Sequence, residues 1–220
     1  MIKASKQRGF TLVELSLAVV LVSILTLAIM TVSMQIMKIY SKGITLKTAN
    51  QASRDISGQL TRDLHSAPVE QINTSQLSRG RLCIGATTYL WNTITTLNGG
   101  SQKITAPSGV VHLVRINDPS QQFCTLPLKY DVTAAMQPTE LLGKTGSVTT
   151  GNNLAVYTLN FTQFVKDQPI FAVDYVIGTN NPSVVSGTQC KPPNDNAANF
   201  DFCTVSQFHM IVKASVAGGN

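Results

Sequence analysis

The chain begins with a short basic stretch that is followed at once by a long apolar one. Lys3, Lys6 and Arg8 lie in the basic stretch, and no charged residue occurs from Leu15 to Met37. As an α-helix these 23 residues would be about 34 Å long, at roughly 1.5 Å per residue. The hydrocarbon core of a bilayer is about 30 Å thick. The pattern predicts one membrane-spanning helix whose N-terminus is cytoplasmic, since positive residues flank the cytoplasmic end of such helices.

Beyond the membrane-spanning stretch, apolar residues return at spacings of three, four and seven, which places them on one face of a helix. The residues of this stripe are Leu46, Ala49, Ile56, Leu60, Leu64 and Ala67. Four charged residues lie off the stripe and are interpreted as a solvated face: Arg54, Asp55, Arg62 and Asp63. Pro68 is predicted to end the helix, because the residue before a proline disfavours helical backbone angles. The sequence thus predicts one helix over residues 11–66, with its second half packed on a domain.

After Pro68 the pattern changes to short runs rich in Thr, Ile, Val and aromatic residues. Residues 70–80 are interpreted as a loop, and a short helix is predicted near Thr133–Gln137. Five strands are predicted over residues 81–91 (with Gly85 as a candidate bulge), 110–116, 154–164, 170–177 and 205–216. Residues 166–169 are predicted to join two of these strands as a hairpin. No long amphipathic helix separates the strands in the sequence, which favours an antiparallel sheet and an α+β fold.

The basic leader and the apolar run are open to three interpretations. A cleaved secretory signal fits poorly, because the apolar run is too long and no small-residue cleavage site follows it. An uncleaved single-pass anchor fits the pattern. A leader from which only the charged residues are removed fits equally well, and the apolar segment then stays in the mature protein. Physical arguments alone do not separate the last two interpretations.

Residues Gly9 to Leu15 read Gly-Phe-Thr-Leu-Val-Glu-Leu. This contiguous motif resembles the processing site of type IV prepilins and of type II secretion pseudopilins, and it precedes the same kind of helix. The resemblance implies that a prepilin peptidase cleaves after Gly9 and that Phe10 becomes an N-methylated N-terminus. It also implies that Glu14 meets the N-terminal amine of a neighbouring subunit. The motif covers only the N-terminal part of the chain.

Glu14 is also informative on physical grounds. A carboxylate in a membrane helix costs about 2.5–3.5 kcal/mol at the helix centre and less near an end. The next cation along the same helix is Lys38. A free amine at Phe10 is mostly protonated at neutral pH, so the amine of another copy of the helix would be a suitable partner for Glu14. The alternative is that Glu14 snorkels to the cytoplasmic headgroups.

Small hydroxyl residues lie on roughly one side of the same helix, away from Glu14: Ser16, Ser23, Thr26 and Ser33. Small polar residues mark close contacts between helices in membranes. Ser and Thr are also tolerated in such helices because their hydroxyls bond back to the backbone. The sequence leaves both interpretations open.

The amino-acid composition adds little to the predicted fold and gives little support for a nucleic-acid partner. The formal net charge is +6, but the chain without its basic leader has 14 basic and 11 acidic residues. That balance is ordinary, and a high isoelectric point alone is weak support for nucleic-acid binding. Arg79 and Arg81 with Tyr89 and Trp91 would suit a basic and aromatic nucleic-acid face, but a strand edge with core aromatics is the simpler interpretation. Nucleic acid is therefore a partner that the sequence permits without supporting it.

Four cysteines lie beyond the membrane-spanning helix, on the side that the leader predicts to be outside: Cys83, Cys124, Cys190 and Cys203. An even number there indicates two disulfides, with three possible connectivities. We favour Cys190–Cys203 and Cys83–Cys124, because the first would close a loop over residues 191–196 that has little tendency to hold a fixed shape alone. Closing a loop of that size stabilises a fold by about 3 kcal/mol. The pilin resemblance also favours a C-terminal disulfide loop.

The sequence shows no catalytic constellation: it has no Gly-x-Ser-x-Gly motif, phosphate-binding loop or HExxH motif. His65, His112 and His209 lack metal-ligand spacing, and the last two are interpreted as hydrogen-bonded structural residues. Asp195 and Asp201 would be able to bind calcium, but Asp also favours turns for its own reasons. We therefore predict no enzyme activity, no metal and no cofactor.

Together the residues and the resemblance predict a pilin-like α+β protein whose long N-terminal helix packs on an antiparallel β-sheet. Its predicted parts are a cleaved leader (1–9), the helix (10–67, membrane-spanning over about 12–37) and an extracytoplasmic β-rich domain (68–220). By resemblance it is a minor pilin, held in the cytoplasmic (inner) membrane and then added to an extracellular filament. The implied partners are the prepilin peptidase, other pilin subunits, the membrane and the pilus assembly platform. Alternatives are a type II secretion pseudopilin, a tip adhesin or DNA-binding module on a pilin anchor, and an unprocessed envelope protein.

Overall fold

The computed structural model of the chain describes residues 11–99, 102–142, 154–164, 168–192 and 203–215. The chain divides into two compact units, Met1–Ser41 and Lys42–Asn220. The first unit holds the beginning of a long helix. The second unit holds the remainder of that helix and every described strand.

The described residues form two α-helices and twelve strands. The helices are α1 (Leu12–Ser66) and α2 (Ile94–Asn98). The strands are β1 (Ile72–Asn73), β2 (Arg81–Ile84), β3 (Thr87–Trp91), β4 (Thr105–Ala106), β5 (Gly109–Val110), β6 (Leu113–Asn117), β7 (Thr139–Glu140), β8 (Leu154–Gln163), β9 (Ile170–Thr179), β10 (Val185–Ser186), β11 (Gln189–Cys190) and β12 (Val205–Lys213). Single turns of 3-10 helix occupy Val69–Gln71, Leu77–Arg79 and Ala134–Met136. The last of these confirms the short helix predicted near Thr133–Gln137.

The long helix α1 confirms the prediction of one helix that ends before Pro68. Its second half buries most of the predicted stripe, and four members of it are at most 1% exposed: Ala49, Ile56, Leu60 and Leu64. Leu46 departs from the prediction, because it is 39% exposed. In that turn Thr45 is buried instead, so the buried face is rotated slightly from the purely apolar one.

The C-terminal end of α1 is completed by a distant part of the chain. The backbone N–H of Ser215 donates to the carbonyl oxygens of Leu64, at 3.3 Å, and Ala67, at 3.1 Å. Ser215 also forms an isolated parallel bridge with Pro68. A helix end leaves its last carbonyl groups without partners inside the helix, so these contacts satisfy acceptors that the helix cannot satisfy by itself.

An antiparallel five-stranded sheet has the order β1-β2-β3-β6-β7. The prediction of a single strand over residues 81–91 is wrong, because this range forms a hairpin of β2 and β3 in which Ile84 pairs with Thr87. Gly85 lies in the turn between them with φ of 55°, a backbone conformation that glycine adopts without side-chain strain. Gly85 therefore marks a turn rather than a bulge. Residues 70–80, predicted as a loop, contain β1 and a turn of 3-10 helix.

The strand predicted over residues 110–116 is interrupted between β5 and β6. At the break the N–H of Val111 donates to the carbonyl of Ile104, at 3.1 Å. The carbonyl of Val111 accepts a hydrogen bond from Nδ2 of Asn92, at 2.8 Å. The side-chain amide of Asn92 thus supplies a hydrogen bond that a neighbouring strand would otherwise supply. Strand propensity alone does not predict such a contact.

A second antiparallel sheet has the order β12-β9-β8. The hairpin predicted around residues 166–169 is confirmed, since β8 and β9 are antiparallel and pair on both sides of one irregularity at Tyr157. Residues 165–167 of the connection lie outside the described residues. The strand β12 pairs with β9 from Val205 to Lys213, which confirms the last predicted strand to within a few residues.

Two apolar cores hold the second unit together. The main core joins the buried face of α1 to both larger sheets, with Leu82 from one sheet and Val173 from the other. The second core covers the opposite face of the five-stranded sheet, where Leu90 and Phe123 are completely buried. The five-stranded sheet is therefore covered on both faces. This is the predicted pilin-like α+β arrangement of a long N-terminal helix packed against antiparallel sheets.

Two disulfides are present, in the pairing favoured above. Cys83 is joined to Cys124 with 6.3 Å between the Cα atoms, and Cys190 to Cys203 with 5.8 Å. The first disulfide joins β2 to the segment that contributes Phe123 to the second core. The partners are 41 and 13 positions apart, and loops of these lengths correspond to about 4 and 3 kcal/mol of closure entropy. Most of the smaller loop, residues 193–202, lies outside the described residues.

Candidate functional site

Thr11 and Glu14 form reciprocal hydrogen bonds at the start of α1. The backbone N–H of Thr11 donates to Oε2 of Glu14 at 3.0 Å, and the backbone N–H of Glu14 donates to Oγ1 of Thr11 at 3.3 Å. The Thr11 hydroxyl also donates to Oε2 of Glu14, at 3.0 Å. This arrangement is a capping box, in which the two side chains satisfy N–H groups that the first helical turn leaves unpaired.

Sequence reasoning assigned Glu14 to assembly and missed this cap. The signature was available, because a Thr followed three residues later by a Glu at the start of an apolar run predicts a helix N-terminus. Both capping residues lie after the predicted cleavage point between Gly9 and Phe10, so the cap would survive cleavage. Gly9 and Phe10 themselves lie outside the described residues, and their roles stay predictions.

An apolar surface follows the cap along the first unit. Every residue from 11 to 40 is exposed, including large side chains such as Leu17 (69%) and Ile24 (62%). By length and composition α1 is able to cross a membrane. Exposing apolar area to water costs about 25 cal/mol per Å². A helix with this surface therefore requires lipid or other apolar helices around it.

The hydroxyl residues of the same segment satisfy their hydrogen bonds within the helix. Four hydroxyls donate to backbone carbonyls three or four residues earlier, at 2.7–2.9 Å: Ser16, Ser23, Thr26 and Ser33. Such back-bonding removes the cost of placing a hydroxyl in hydrocarbon. The structure thus favours the second of the two interpretations of these residues, because none of them requires a partner helix for its hydrogen bond.

Asp63 corrects the prediction of a solvated face, because it lies at the buried contact between α1 and the five-stranded sheet. Its carboxylate accepts hydrogen bonds from Nε of Arg115 at 2.7 Å, Nη2 of Arg115 at 2.8 Å and the hydroxyl of Tyr89 at 2.6 Å. The hydrogen bonds to Asp63 raise the pKa of Arg115. Burial, together with the hydrogen bond to Asp63, raises the pKa of Tyr89.

Helical spacing explains why Asp63 was misplaced. It follows Leu60 by three positions and precedes Leu64 directly, which puts it at the border of the apolar stripe. Whether a border residue is solvated depends on its partner in the sheet, and that partner is far away in the sequence. The other charged residues of the predicted solvated face are exposed, as expected: Arg54, Asp55 and Arg62.

The basic and aromatic residues considered for nucleic-acid binding do not form an open face. Arg81, Tyr89 and Trp91 are each at most 2% exposed, within the domain. The Arg81 guanidinium donates to the carbonyl of Arg79 at 2.6 Å and to that of Lys129 at 2.8 Å. Of the four residues considered, Arg79 alone is exposed. The simpler interpretation, in which these aromatics belong to the core, is therefore correct.

The histidines predicted to be structural are hydrogen-bonded. Nδ1 of His112 lies 2.6 Å from the carbonyl oxygen of Leu154, and Nδ1 of His209 lies 2.7 Å from a carboxylate oxygen of Asp174. Within the described ranges, no group of three or more His, Cys, Asp and Glu residues is placed to hold a metal ion. The candidate calcium ligands lie outside those ranges: Asp195 and Asp201.

Comparison with known proteins points to the same N-terminal stretch. Residues 4–30 match the prokaryotic N-terminal methylation motif, a range that includes Lys6 and Arg8 of the basic leader, the predicted cleavage point and the capped beginning of α1. No curated protein and no solved structure matches the chain. The motif implies processing by a prepilin peptidase, anchoring in a membrane and assembly with other pilin subunits. The chain thus carries the methylation motif and the long apolar helix of type IV pilin-like proteins and pseudopilins.

Proposed function

We propose that this chain is a minor pilin, a structural subunit of a type IV pilus-like filament. The observation that carries the proposal is the methylation motif over residues 4–30 on a helix whose apolar surface is exposed over residues 11–40. Such a surface is covered by lipid before assembly and by neighbouring helices after it. Head-to-tail packing of one helix on the next generates an open filament when the rotation between subunits does not close into a ring.

In this proposal the prepilin peptidase removes residues 1–9 and Phe10 becomes the N-methylated end. Residues 10–67 form the helix, with about 12–37 in the cytoplasmic membrane, and residues 68–220 form the domain on the outer side. The two disulfides support this orientation, because disulfides persist in oxidising compartments and are rare in the cytosol. Both lie in the part of the chain that the proposal places outside.

Glu14 is the proposed assembly residue. Its Oε2 atom accepts the hydrogen bonds from Thr11, and its Oε1 atom accepts none from the described part of the chain. One carboxylate is thus able to cap its own helix and to receive the amine of Phe10 from a neighbouring subunit. A hydrogen bond to a charged group contributes about 1.5–3 kcal/mol, which favours a subunit in register over one out of register.

The first test is the intact mass and N-terminal sequence of the protein recovered from its native membrane. The expected product begins at N-methylated Phe10 and lacks residues 1–9. A product that begins at Met1, in cells whose prepilin peptidase is active, would overturn the proposal and leave an anchored domain of another kind.

A second test separates the charge of Glu14 from its capping role. Glu14→Gln keeps an oxygen acceptor for Thr11 but removes the negative charge, whereas Thr11→Ala removes the reciprocal cap and keeps the charge. We expect Glu14→Gln to lower the amount of subunit in sheared filaments by at least about tenfold, with normal membrane levels, and Thr11→Ala to have the smaller effect. Equal incorporation of Glu14→Gln and the unchanged protein would contradict the assigned role.

The same cells distinguish a pilin from a pseudopilin, since both kinds of protein carry the motif. Deletion of a minor pilin is expected to reduce surface pili and to leave protein secretion unchanged. Loss of secretion with normal pili would assign the chain to a type II secretion system instead.

A further inference from the structure

A polar cleft lies on the second unit, beside the hairpin of β2 and β3. It has a volume of about 250 Å³. Its wall carries hydroxyl, amide and guanidinium groups, among them those of Ser78, Arg79, Asn92, Thr96 and Tyr130. Arg81 and Trp91 also contribute to it. Among the described residues that line the cleft, two are arginines and none is acidic.

Arg81 is a buried cation that lacks a carboxylate partner within the described residues. It is 1% exposed, and its two terminal nitrogens donate to backbone carbonyl oxygens. The ring of Tyr130 lies 4.8 Å from the guanidinium carbon. The Nε atom is buried and has no hydrogen-bond partner in the described part of the chain. Unsatisfied buried polar atoms are rare in native proteins, and a water molecule or an ion is a common explanation for one.

A second arginine of the domain, the half-buried Arg115, shows how such a charge is usually balanced. Arg115 forms a two-point ion pair with Asp63, and that carboxylate raises its pKa. Burial lowers the pKa of Arg81, and Tyr130 offsets this only in part. A buried charge without a counter-charge is costly, and Arg81 lines the cleft, from which an anion would balance its charge.

We propose that this cleft binds a small oxyanion, a phosphate or a carboxylate. The exposed guanidinium of Arg79 contacts the anion directly, and Ser78, which also lines the cleft, supplies a hydroxyl beside it. The covered guanidinium of Arg81 attracts it through the electrostatic field. Ligand sites for drug-sized molecules occupy about 300–1,000 Å³. The smaller cleft suits a free anion with a few waters, or the charged end of a larger molecule.

The test uses the full-length protein in detergent micelles. Trp91 is the only tryptophan of the chain and lines the cleft, so its fluorescence reports binding there. The protein is titrated with sodium phosphate and, separately, with sodium acetate, while sodium chloride keeps the ionic strength constant. We expect a saturable fluorescence change with at least one of the two anions, and a melting temperature that rises with the concentration of that anion.

Two arginine variants make the test specific. Arg79→Gln removes the exposed guanidinium, and we expect it to weaken binding about tenfold. Arg54→Gln is the matched control, because Arg54 is exposed on α1 and does not line the cleft. The Arg54→Gln variant should bind the anion with the affinity of the unchanged protein. The more tightly bound of the two anions then identifies the ligand class.

Two results would overturn the proposal. One is a response to both anions that stays linear and leaves the melting temperature unchanged. The other is an affinity that is the same in Arg79→Gln as in Arg54→Gln, which would mean that the anions act on the protein generally. Neither result bears on filament assembly, because the cleft lies outside the N-terminal helix.

Discussion

One helix runs through both units of the chain, and its two parts satisfy their side chains in different ways. Over residues 11–40 every side chain is exposed, and most of the serine and threonine hydroxyls bond to the backbone of the helix itself. Over residues 42–66 most of the apolar stripe is buried, and polar side chains contact the sheets. Ser53 and Ser57 each lie 2.7 Å from the hydroxyl of Tyr175. The first part thus keeps its surface for other molecules, whereas the second part is committed to its own domain.

The largest effect expected from this difference concerns leucines. Leu60→Ala should lower the free energy of unfolding of the domain by about 3 kcal/mol, because Leu60 is 1% exposed and its loss leaves a cavity. Leu25→Ala should change it by less than about 0.5 kcal/mol, because Leu25 is 54% exposed. Denaturant unfolding of the full-length protein in detergent, followed by Trp91 fluorescence, measures both. Similar losses in the two variants would remove the distinction between the two parts of the helix.

Asp63 should give the next largest effect. Asp63→Asn breaks the ion pair with Arg115 and should cost about 2 kcal/mol, less than a fully buried pair, because the Arg115 side chain is 33% exposed. Asp55→Asn is the matched control on the exposed side of the same helix and should be nearly neutral. The same unfolding experiment reports both values. If the two variants are equally stable, the contact between α1 and the sheet does not depend on Asp63.

A smaller effect is expected at the beginning of the helix. Thr11→Ala should weaken the first turn by about 1 kcal/mol, because the reciprocal cap with Glu14 is lost. Hydrogen exchange of the amides near Val13 should become faster, without a change in the stability of the domain. Thr31→Ala is the comparison, since that hydroxyl bonds only to the carbonyl of Ala28 in the described contacts. Faster exchange at both sites would show general loosening of the helix rather than loss of a cap.

The last expected effect is confined to alkaline pH and concerns Tyr157. Burial raises the pKa of Tyr157 from 10.0 to about 12, and its hydroxyl donates to the carbonyl of Thr179 at 2.7 Å. A pKa that is higher in the folded state gives stability that is complete below pH 10 and is lost as the pH rises to about 12. Tyr157→Phe should therefore lose stability less steeply in that window. Tyr40→Phe, in the exposed first part of α1, should show the same dependence of stability on pH as the unchanged protein. If it does not, the loss of stability at alkaline pH has a source other than Tyr157.

Features that depend on neighbouring residues were predictable from the sequence. Pro68 fixes the end of α1, and the connection before Pro169 joins two strands, because in both places the local chain restricts the backbone. The capping box was equally local and was available from Thr11 and Glu14. The length of the apolar run over residues 15–37 is likewise a local feature, and it predicts a membrane-spanning helix because it matches the thickness of a bilayer.

Features that depend on distant partners were not predictable. Asp63 lies at the edge of the stripe, and only the position of Arg115 in the folded sheet makes it a buried residue. The interruption before β6 depends on the side chain of Asn92, which replaces a strand. The cleft at Arg81 arises from a hairpin and from the segment around Tyr130, which are distant in sequence. Spacing along the chain carries no information about such contacts.

The hydrogen bonds from Ser215 to the end of α1 have a consequence for biogenesis. In the proposed topology, residues near Leu64 leave the ribosome and cross the membrane before Ser215 does. Until that later segment arrives, the last carbonyl groups of the helix lack the partner that closes them in the finished domain. Export is therefore expected to deliver a helix first and a completed domain only after the strand before Ser215 has paired. If the chain is the proposed filament subunit, an interrupted chain presents an open helix end and an unpaired sheet edge, and we expect envelope proteases to remove it before assembly.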